Sequence, residues 1–273
     1  MRLSITHRTL YRYDPAAQRV ALRMKLHPYD NPAQKIRSWG VTVNGQQPMS
    51  RIVNGFGDAE SVWTSQTPIV EVEVLATGVV ETKDVSGVLR GQKQEARPAV
   101  FLRGTHLTQP DESIRDLAAT AVTGETGLDA AHALAGAVTE AVSYRQGVTD
   151  AATTAADALK LGAGVCQDHA HVLIAAARSQ GAAARYVVGY LYVGDGEEAE
   201  FPDATASHAW AEIWVDGLGW VGFDPSNGIC PTERYVRLAC GLDAPDAAPL
   251  RGAVAGATDE TLEAEVQVVQ AQQ

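Results

Sequence analysis

The stretch Gly-Val-Cys-Gln-Asp-His-Ala-His at residues 164–171 places a thiol at the start of an apolar segment. The apolar residues that follow keep the 3.6-residue period of a helix: Ala170, Leu173, Ile174 and Ala177. The sequence therefore predicts a helix whose first turn carries Cys166. At that end of a helix, the unpaired backbone N–H groups and the positive pole of the dipole favour a thiolate and can receive an oxyanion. These properties make Cys166 a candidate nucleophile.

A second segment, Ser207–Val215, alternates in polarity as a strand does, with four residues on one face: His208, Trp210, Glu212 and Trp214. Residues 216–219, Asp-Gly-Leu-Gly, predict a tight turn into another strand that ends near Asp224. In an antiparallel hairpin about this turn, His208 lies opposite a position near residue 226 and thus close to Asp224. The spacing predicts a His208–Asp224 hydrogen bond, which would fix the imidazole tautomer and leave the other ring nitrogen for Cys166.

Each of these three residues also has an ordinary structural interpretation. A cysteine at a helix start is commonly inert, a strand histidine is commonly packed or solvated, and an aspartate before proline commonly forms a turn. Their joint occurrence favours the catalytic interpretation, because chance would have to supply a helix-start thiol, a strand histidine and a hairpin-partnered aspartate in one stretch of chain.

A metal site is a competing interpretation, since four neighbouring side chains are possible ligands: Cys166, Asp168, His169 and His171. Adjacent residues on a helix diverge by about 100°, so Asp168 and His169 cannot both join Cys166 around one ion. The sequence also contains neither a CxxC nor an HExxH motif. We therefore predict no metal and no cofactor.

Composition limits the class of protein further. The chain has 273 residues, of which 45% are hydrophobic, and a formal net charge of -11. Phosphate backbones and anionic lipid repel such a chain, so neither nucleic acid nor a membrane surface is an expected partner. We find neither a secretory signal nor a run of the roughly 18 apolar residues that a membrane-spanning helix needs.

The three cysteines are too few for a disulfide framework, which favours a cytoplasmic location. We interpret Cys230 and Cys240 as free or buried thiols, and a bond between these two residues is the alternative.

The pattern of the chain predicts two domains, residues 1–95 and residues 96–273. The first contains six or seven short segments of alternating polarity, separated by turn-forming clusters such as Asn44-Gly45, and predicts an antiparallel β-sandwich. After a linker at about residues 91–98, helices are predicted from Asp111, over residues 128–144 and over residues 153–161. A last alternating run at residues 262–269 predicts a strand that closes a sheet.

Four motifs, in order, carry a resemblance to a known family. They are the stretch at residues 164–171, Ala184-Arg185-Tyr186-Val187 with Gly189-Tyr190, Ser207-His208-Ala209-Trp210, and Gly219-Trp220 with Phe223-Asp224-Pro225. In order and spacing they resemble the core of bacterial transglutaminase-like proteins. Phe56-Gly57-Asp58 extends the resemblance to the β-rich N-terminal domain of that family. The resemblance implies a papain-like α+β catalytic fold, in which the helix of the nucleophile packs on an antiparallel sheet that bears the histidine and the aspartate.

The resemblance also implies roles for the site residues. Cys166 would be the nucleophile, His208 the general base and acid, and Asp224 the residue that orients the imidazole. The implied chemistry is attack on an amide carbonyl, a thioester intermediate, and release of the acyl group to water or to an amine. The expected partner is accordingly a peptide or protein substrate.

Three further residues are supporting candidates: Tyr144, Gln167 and Trp210. Tyr144 falls where the family has an aromatic residue, and it either assists the oxyanion or packs. Trp210 either shields the histidine–aspartate pair from water or fills the core. Gln167 directly follows the candidate nucleophile.

We expect a thiol-dependent acyl-transfer enzyme that acts on peptide or isopeptide amides, more by hydrolysis than by crosslinking, because water is always available and no amine pocket is recognisable. A protein-crosslinking or deamidating transglutaminase is the alternative, and a catalytically inactive peptide- or protein-binding module is the alternative from another class. Relatives usually read Ala-Val-Gly-Arg-Asp-Tyr after the catalytic residues, whereas residues 239–244 read Ala-Cys-Gly-Leu-Asp-Ala. The absence of that arginine and tyrosine predicts a changed substrate pocket.

Overall fold

The structure, a computed structural model, describes residues 1–48, 50–92, 96–194 and 206–271. Residues 93–95 of the predicted linker lie outside the described residues. The strands within these ranges are β1 (Arg2–Ala17), β2 (Arg19–His27), β3 (Gln34–Val43), β4 (Ser50–Val53), β5 (Ala59–Thr64), β6 (Ile69–Thr82), β7 (Val88–Leu89), β8 (Ser143–Tyr144), β9 (Ala163–Gly164), β10 (Ala184–Leu191), β11 (Ser207–Val215), β12 (Gly219–Phe223), β13 (Tyr235–Gly241), β14 (Leu250–Ala255) and β15 (Asp259–Gln270).

The helices occupy the middle of the chain. They are α1 (Glu112–Ala121), α2 (Gly127–Ala141), α3 (Ala155–Leu161), α4 (Cys166–Ser179) and the short α5 (Ala244–Ala247). Three α-helices therefore precede Cys166, as the sequence predicts. The hydroxyl of Thr154 accepts a hydrogen bond from the backbone N–H of Asp157 at 3.1 Å and so caps the start of α3. Across the described ranges, no helix combines the length and the apolar character needed to span a membrane.

Two antiparallel sheets form the predicted β-sandwich, with strand orders β15-β1-β6-β3 and β14-β2-β5-β4. Alternation along β2 shows why these segments are strands: Val20, Leu22 and Met24 are buried, while Arg19 and Arg23 are exposed. The inward residues of both sheets form one apolar core, which also takes in Tyr190 and Leu238 from the following domain.

The second half has the predicted α+β architecture. Its sheet has the order β13-β10-β11-β12-β7, and neighbouring strands are antiparallel. Helix α4 packs on this sheet with α1, α2 and α3 around it, and every residue from Asp168 to Arg178 is buried. A central helix that is enclosed on all sides gives Cys166, at its first position, a fixed place relative to the sheet.

The helix predicted over residues 128–144 ends earlier, at Ala141. Val142 is buried in an extended conformation, and Ser143–Tyr144 pairs in parallel with Ala163–Gly164. The backbone N–H of Ser143 donates to the carbonyl of Gly162 at 2.9 Å. The strand pairing is favoured over continuation of the helix, because it supplies hydrogen-bond partners to backbone groups just before Cys166 that would otherwise be unpaired.

Strand pairing crosses the predicted boundary after residue 95 in both directions. β7 pairs with β12 of the second domain, whereas β14 pairs with β2 and β15 pairs with β1 of the sandwich. The final alternating run thus closes a sheet, as predicted, and that sheet belongs to the sandwich. The division into residues 1–95 and 96–273 stays a prediction, because strand pairing does not measure which segments fold alone.

Candidate active site

Local hydrogen bonds hold the start of α4 in place. The carboxylate Oδ2 of Asp168 accepts from the backbone N–H of Val165 at 2.8 Å and from the hydroxyl of Thr149 at 2.7 Å. Asp168 is only 1% exposed, so these bonds are shielded from water. Val165, the residue directly before Cys166, is thereby tied to the first turn of α4, which holds the start of that helix in place.

The two histidines of the same stretch also have structural partners. The ring nitrogens of His169 lie 3.0 Å from the carbonyl of Val165 and 2.8 Å from that of Val142. The Nε2 of His171 accepts from the backbone N–H of Ala244 at 3.0 Å, and burial lowers the pKa of His171 to about 3. In the part of the chain that the structure describes, no group of three or more His, Cys, Asp or Glu side chains is placed to hold a metal ion.

The hairpin has the predicted register. Val215 faces Gly219 and Ala211 faces Phe223, so the strand ends immediately before Asp224. The Nε2 of His208 lies 2.6 Å from the Oδ2 of Asp224, and both residues are buried. This geometry leaves Nδ1 as the nitrogen of His208 that is not committed to Asp224.

Residues after the hairpin complete the surroundings of Asp224. Its Oδ2 accepts from the hydroxyl of Tyr235 and from Nδ2 of Asn227, both at 2.7 Å, and its Oδ1 accepts from the hydroxyl of Ser226 at 2.6 Å. Burial by itself would raise the pKa of Asp224, but the charge of His208 and the hydrogen bonds from His208, Ser226 and Tyr235 lower it below its usual value. Asp224 is therefore a buried carboxylate at neutral pH.

The same contacts determine the charge of His208. Burial would lower the pKa of His208, but the hydrogen bond and charge of Asp224, together with the sulfur of Cys166 as a second hydrogen-bond partner, raise that pKa to about 10. The imidazole of His208 thus lies between a carboxylate and a thiol, which is the arrangement of a thiol nucleophile with its base and the group that orients that base. Cys166 and His208 both line one open cleft of about 440 Å³.

Comparison of the sequence with known protein families identifies the family of this chain. The profile of the transglutaminase-like superfamily core matches residues 115–225, the segment that contains Cys166, His208 and Asp224. The chain belongs to the transglutaminase-like superfamily. A second profile, of the bacterial transglutaminase-like N-terminal region, matches residues 3–81 and so covers most of the sandwich strands from β1 to β6.

Similarity to known proteins extends over nearly the whole chain. An uncharacterized protein of Mycobacterium leprae is 30% identical over 271 residues, which span 94% of this chain and 95% of the relative. An uncharacterized protein of Mycobacterium tuberculosis is 29% identical over 277 residues, spanning 93% and 87%. The crystal structure of a cysteine protease candidate from Cytophaga hutchinsonii superposes with a TM-score of 0.75 at 22% identity, over 100% of this chain and 92% of its own. This likeness confirms the predicted papain-like α+β fold behind a β-rich N-terminal region.

The three supporting candidates occupy different places in this transglutaminase-like fold. Gln167 lines the cleft beside Cys166. The ring of Tyr144 lies 6.3 Å from that of His169, so it packs beside the start of α4. Trp210 is 2% exposed and packs edge-on against Tyr235 at 5.5 Å, which places it behind the histidine–aspartate pair. Their roles in a reaction stay predictions.

Sequence reasoning missed the residues that surround Asp224. Ser226 and Asn227 could have been found, because Asp-Pro-Ser-Asn-Gly is a turn sequence in which the aspartate side chain accepts from the backbone N–H groups that follow, here at 3.1 and 3.3 Å. No sequence pattern indicated that Tyr235 would contact Asp224. The contact depends on the place of β13 at the edge of the same sheet. Tyr186 was also missed as a cleft residue, because in the sequence it stood out only as part of a family motif. It lines the cleft, and its ring centroid lies 5.1 Å from that of His171.

Proposed function

We propose that this transglutaminase-like protein is a thiol-dependent enzyme that hydrolyses peptide or isopeptide amides through Cys166, His208 and Asp224. The observation that carries the proposal is the 2.6 Å hydrogen bond between His208 and the buried carboxylate of Asp224, beside a thiol at the first position of a helix. A packed histidine of purely structural use has no need of a buried carboxylate with three further donors.

In the first half of the reaction, the thiolate of Cys166 attacks the carbonyl carbon of the substrate amide, and a C–S bond forms. The oxyanion lies against backbone N–H groups at the very start of α4, the end at which a helix offers N–H groups to a ligand. The C–N bond then breaks as the imidazolium of His208 gives its proton to the leaving nitrogen. A neutral amine departs and a thioester on Cys166 remains.

In the second half, the neutral imidazole of His208 removes a proton from water, and the resulting hydroxide attacks the thioester carbonyl. The C–S bond breaks, the carboxylic acid leaves and the thiolate–imidazolium pair is restored. Asp224 holds the ring orientation and stabilises the imidazolium in both halves. Water is favoured as acceptor because the described lining of the cleft includes no Asp or Glu that would bind the ammonium group of an incoming lysine before it loses a proton and attacks.

Selective alkylation tests the nucleophile. Iodoacetamide near neutral pH should modify Cys166 much faster than a free thiol, and peptide mapping by mass spectrometry should assign the adduct. Burial raises the pKa values of Cys230 and Cys240, so these two thiols should react slowly and serve as internal controls. The rate at Cys166 should fall in His208→Ala. Labelling of Cys166 no faster than a free thiol would support the inactive binding module.

The acyl acceptor is tested separately with glutamine-containing peptides and a primary-amine probe. Cleaved peptide bonds without ammonia release would support the proposed hydrolysis. Incorporation of the amine would support crosslinking, and ammonia release without incorporation would support deamidation. Cys166→Ala is the control in each assay, since it removes the attacking sulfur and leaves His208 and Asp224 in place.

A further inference from the structure

One side of the cleft is formed by the cleft wall, which we define as residues 244–249. Ala244, Pro245, Ala248 and Pro249 of this segment line the same cleft as Cys166 and His208. The segment therefore lies beside the candidate nucleophile.

Three contacts, two from α4 and one from β2, hold the cleft wall and the residues before it. The Nε2 of His171 on α4 accepts from the backbone N–H of Ala244 at 3.0 Å. The guanidinium of Arg178 donates to the carbonyl of Leu242 at 2.9 Å. From the sandwich, the buried Nζ of Lys25 donates to the carbonyl of Asp246 at 2.8 Å. A wall fixed from both domains presents a constant surface to a substrate.

Among the residues that the structure describes, the lining of the cleft beside this wall is uncharged apart from the reacting groups. Its described lining consists of four alanines, two prolines and two valines together with Cys166, His208, Gln167, Tyr186 and Ser207. Two carboxylates, one just before the cleft wall and one within it, bind backbone N–H groups and are not among the described lining residues. Asp243 accepts from the backbone N–H of Asp246 at 2.9 Å, and Asp246 accepts from that of Leu242 at 3.0 Å. No lysine, arginine, aspartate or glutamate is among the described lining residues.

We infer that the cleft wall selects substrates whose side chain beside the scissile amide is uncharged and apolar, such as alanine or leucine. An apolar side chain gains from burial against alanine, proline and valine surfaces. A lysine or aspartate side chain loses part of its hydration there, and the described lining offers it no opposite charge apart from the reacting groups. This inference rests on the proposed function, because it names the substrate class of the same site.

Peptidyl vinyl sulfones test the inference, because a seated peptide holds the reactive group beside the thiol and so speeds the alkylation. We suggest four probes of one backbone with Ala, Leu, Asp or Lys next to the reactive group, each rate being divided by its rate with free cysteine. The Ala and Leu probes should modify Cys166 faster than the Asp and Lys probes by on the order of tenfold or more. Equal rates, a preference for a charged probe, or no peptidyl labelling at all would overturn the inference.

Iodoacetamide separates this outcome from failure of the proposed function. If iodoacetamide labels Cys166 selectively and the peptidyl probes do not discriminate, the nucleophile stands and the inferred specificity is wrong. If iodoacetamide reacts at Cys166 no faster than with a free thiol, the proposed function itself fails, and the inference fails with it.

A matched pair of variants tests the wall directly. Ala244→Asp adds a carboxylate to the cleft, whereas Ala244→Asn adds nearly the same volume without charge. The Lys probe should gain on the order of fivefold in Ala244→Asp relative to Ala244→Asn, while the Leu probe should not. Circular dichroism and the iodoacetamide rate at Cys166 verify that both variants are folded. A Lys-probe rate equal in the two folded variants would exclude the wall as the specificity element.

Discussion

The Nε2 of His208 lies 2.6 Å from the Oδ2 of Asp224, with both side chains removed from water. Each partner is held in its charged form by the other: the pKa of His208 is raised to about 10, and the pKa of Asp224 is lowered. Because the pKa of His208 lies above its ordinary value of 6.5, its contribution to stability is complete below pH 6.5 and is lost as the pH rises through about 10. For Asp224 the contribution is present above its ordinary 3.8 and is lost as the pH falls through the lowered value.

We predict that kcat/KM for peptide hydrolysis falls on the alkaline side with an apparent pKa of about 10, because the imidazolium of His208 supplies the proton for the leaving amine. Asp224→Asn should lower kcat/KM by roughly 10²- to 10⁴-fold and move this alkaline limb towards neutral pH, since the charge that raises the pKa is gone. The measurement is a pH–rate profile of both proteins. An alkaline limb that stays in place in Asp224→Asn would contradict the assigned pairing.

Tyr235→Phe should lower the free energy of unfolding by about 1.5–3 kcal/mol, since a buried donor to a carboxylate is removed. It should also reduce kcat/KM by on the order of tenfold through the looser position of Asp224 and His208. Urea unfolding and peptide kinetics measure the two effects.

The matched control for this variant is Tyr190→Phe. The hydroxyl of Tyr190 lies 3.0 Å from Nδ1 of His7 in the sandwich core, and burial lowers the pKa of His7 to about 4, so this bond is between neutral groups. Tyr190→Phe should cost about 1 kcal/mol and leave kcat/KM unchanged. Equal losses of activity in the two variants would argue that Tyr235 acts only on stability.

Asp168→Ala should destabilise the protein by about 1–2 kcal/mol through loss of the bonds to Val165 and Thr149, and should slow alkylation of Cys166 by on the order of tenfold as the start of α4 loosens. Asp111→Ala is the control, because the Asp111 carboxylate accepts from the backbone N–H of Ile114 at 2.9 Å at the start of α1. It should cost a similar free energy without slowing alkylation. Unfolding curves measure the loss of stability, and iodoacetamide labelling measures the alkylation rate of Cys166. If alkylation slows to a similar extent in both variants, the effect of Asp168 on Cys166 is not local.

Lys25→Met should cost about 3 kcal/mol, because it leaves the buried carboxylate of Asp58, 3.4 Å from Nζ, without its lysine. It should also lower kcat/KM for peptides while the iodoacetamide rate at Cys166 stays the same, since Lys25 holds the cleft wall and not the nucleophile. Arg8→Met, which breaks the exposed pair with Glu73, should cost at most about 1 kcal/mol and leave both rates unchanged. A parallel loss of iodoacetamide reactivity in Lys25→Met would show a general loss of structure.

Much of the fold follows from local pattern. The period-2 alternation of polarity predicted the sandwich strands, and the helical period of the apolar residues after Cys166 predicted α4. Both predictions work because each element buries one face, and the apolar residues of that face recur at a fixed spacing in the sequence. The end of α2 could not be read in this way. At Ser143 and Tyr144 a pairing with residues 163–164 competes with the helical pattern, and such a pairing depends on where a distant segment lies.

The sequence by itself determined that Cys166 begins a helix and that His208 meets Asp224, because one position depends on local period and the other on the register of a tight hairpin. Only the tertiary structure decided that Tyr235 donates to Asp224 and that the cleft wall lies beside Cys166. These contacts join segments far apart in the chain, and no local spacing encodes which strand will lie at a sheet edge. The hydrogen bond from Lys25 of the sandwich to Asp246 of the cleft wall has the same origin, because it forms only where the sandwich packs against the α+β part of the chain.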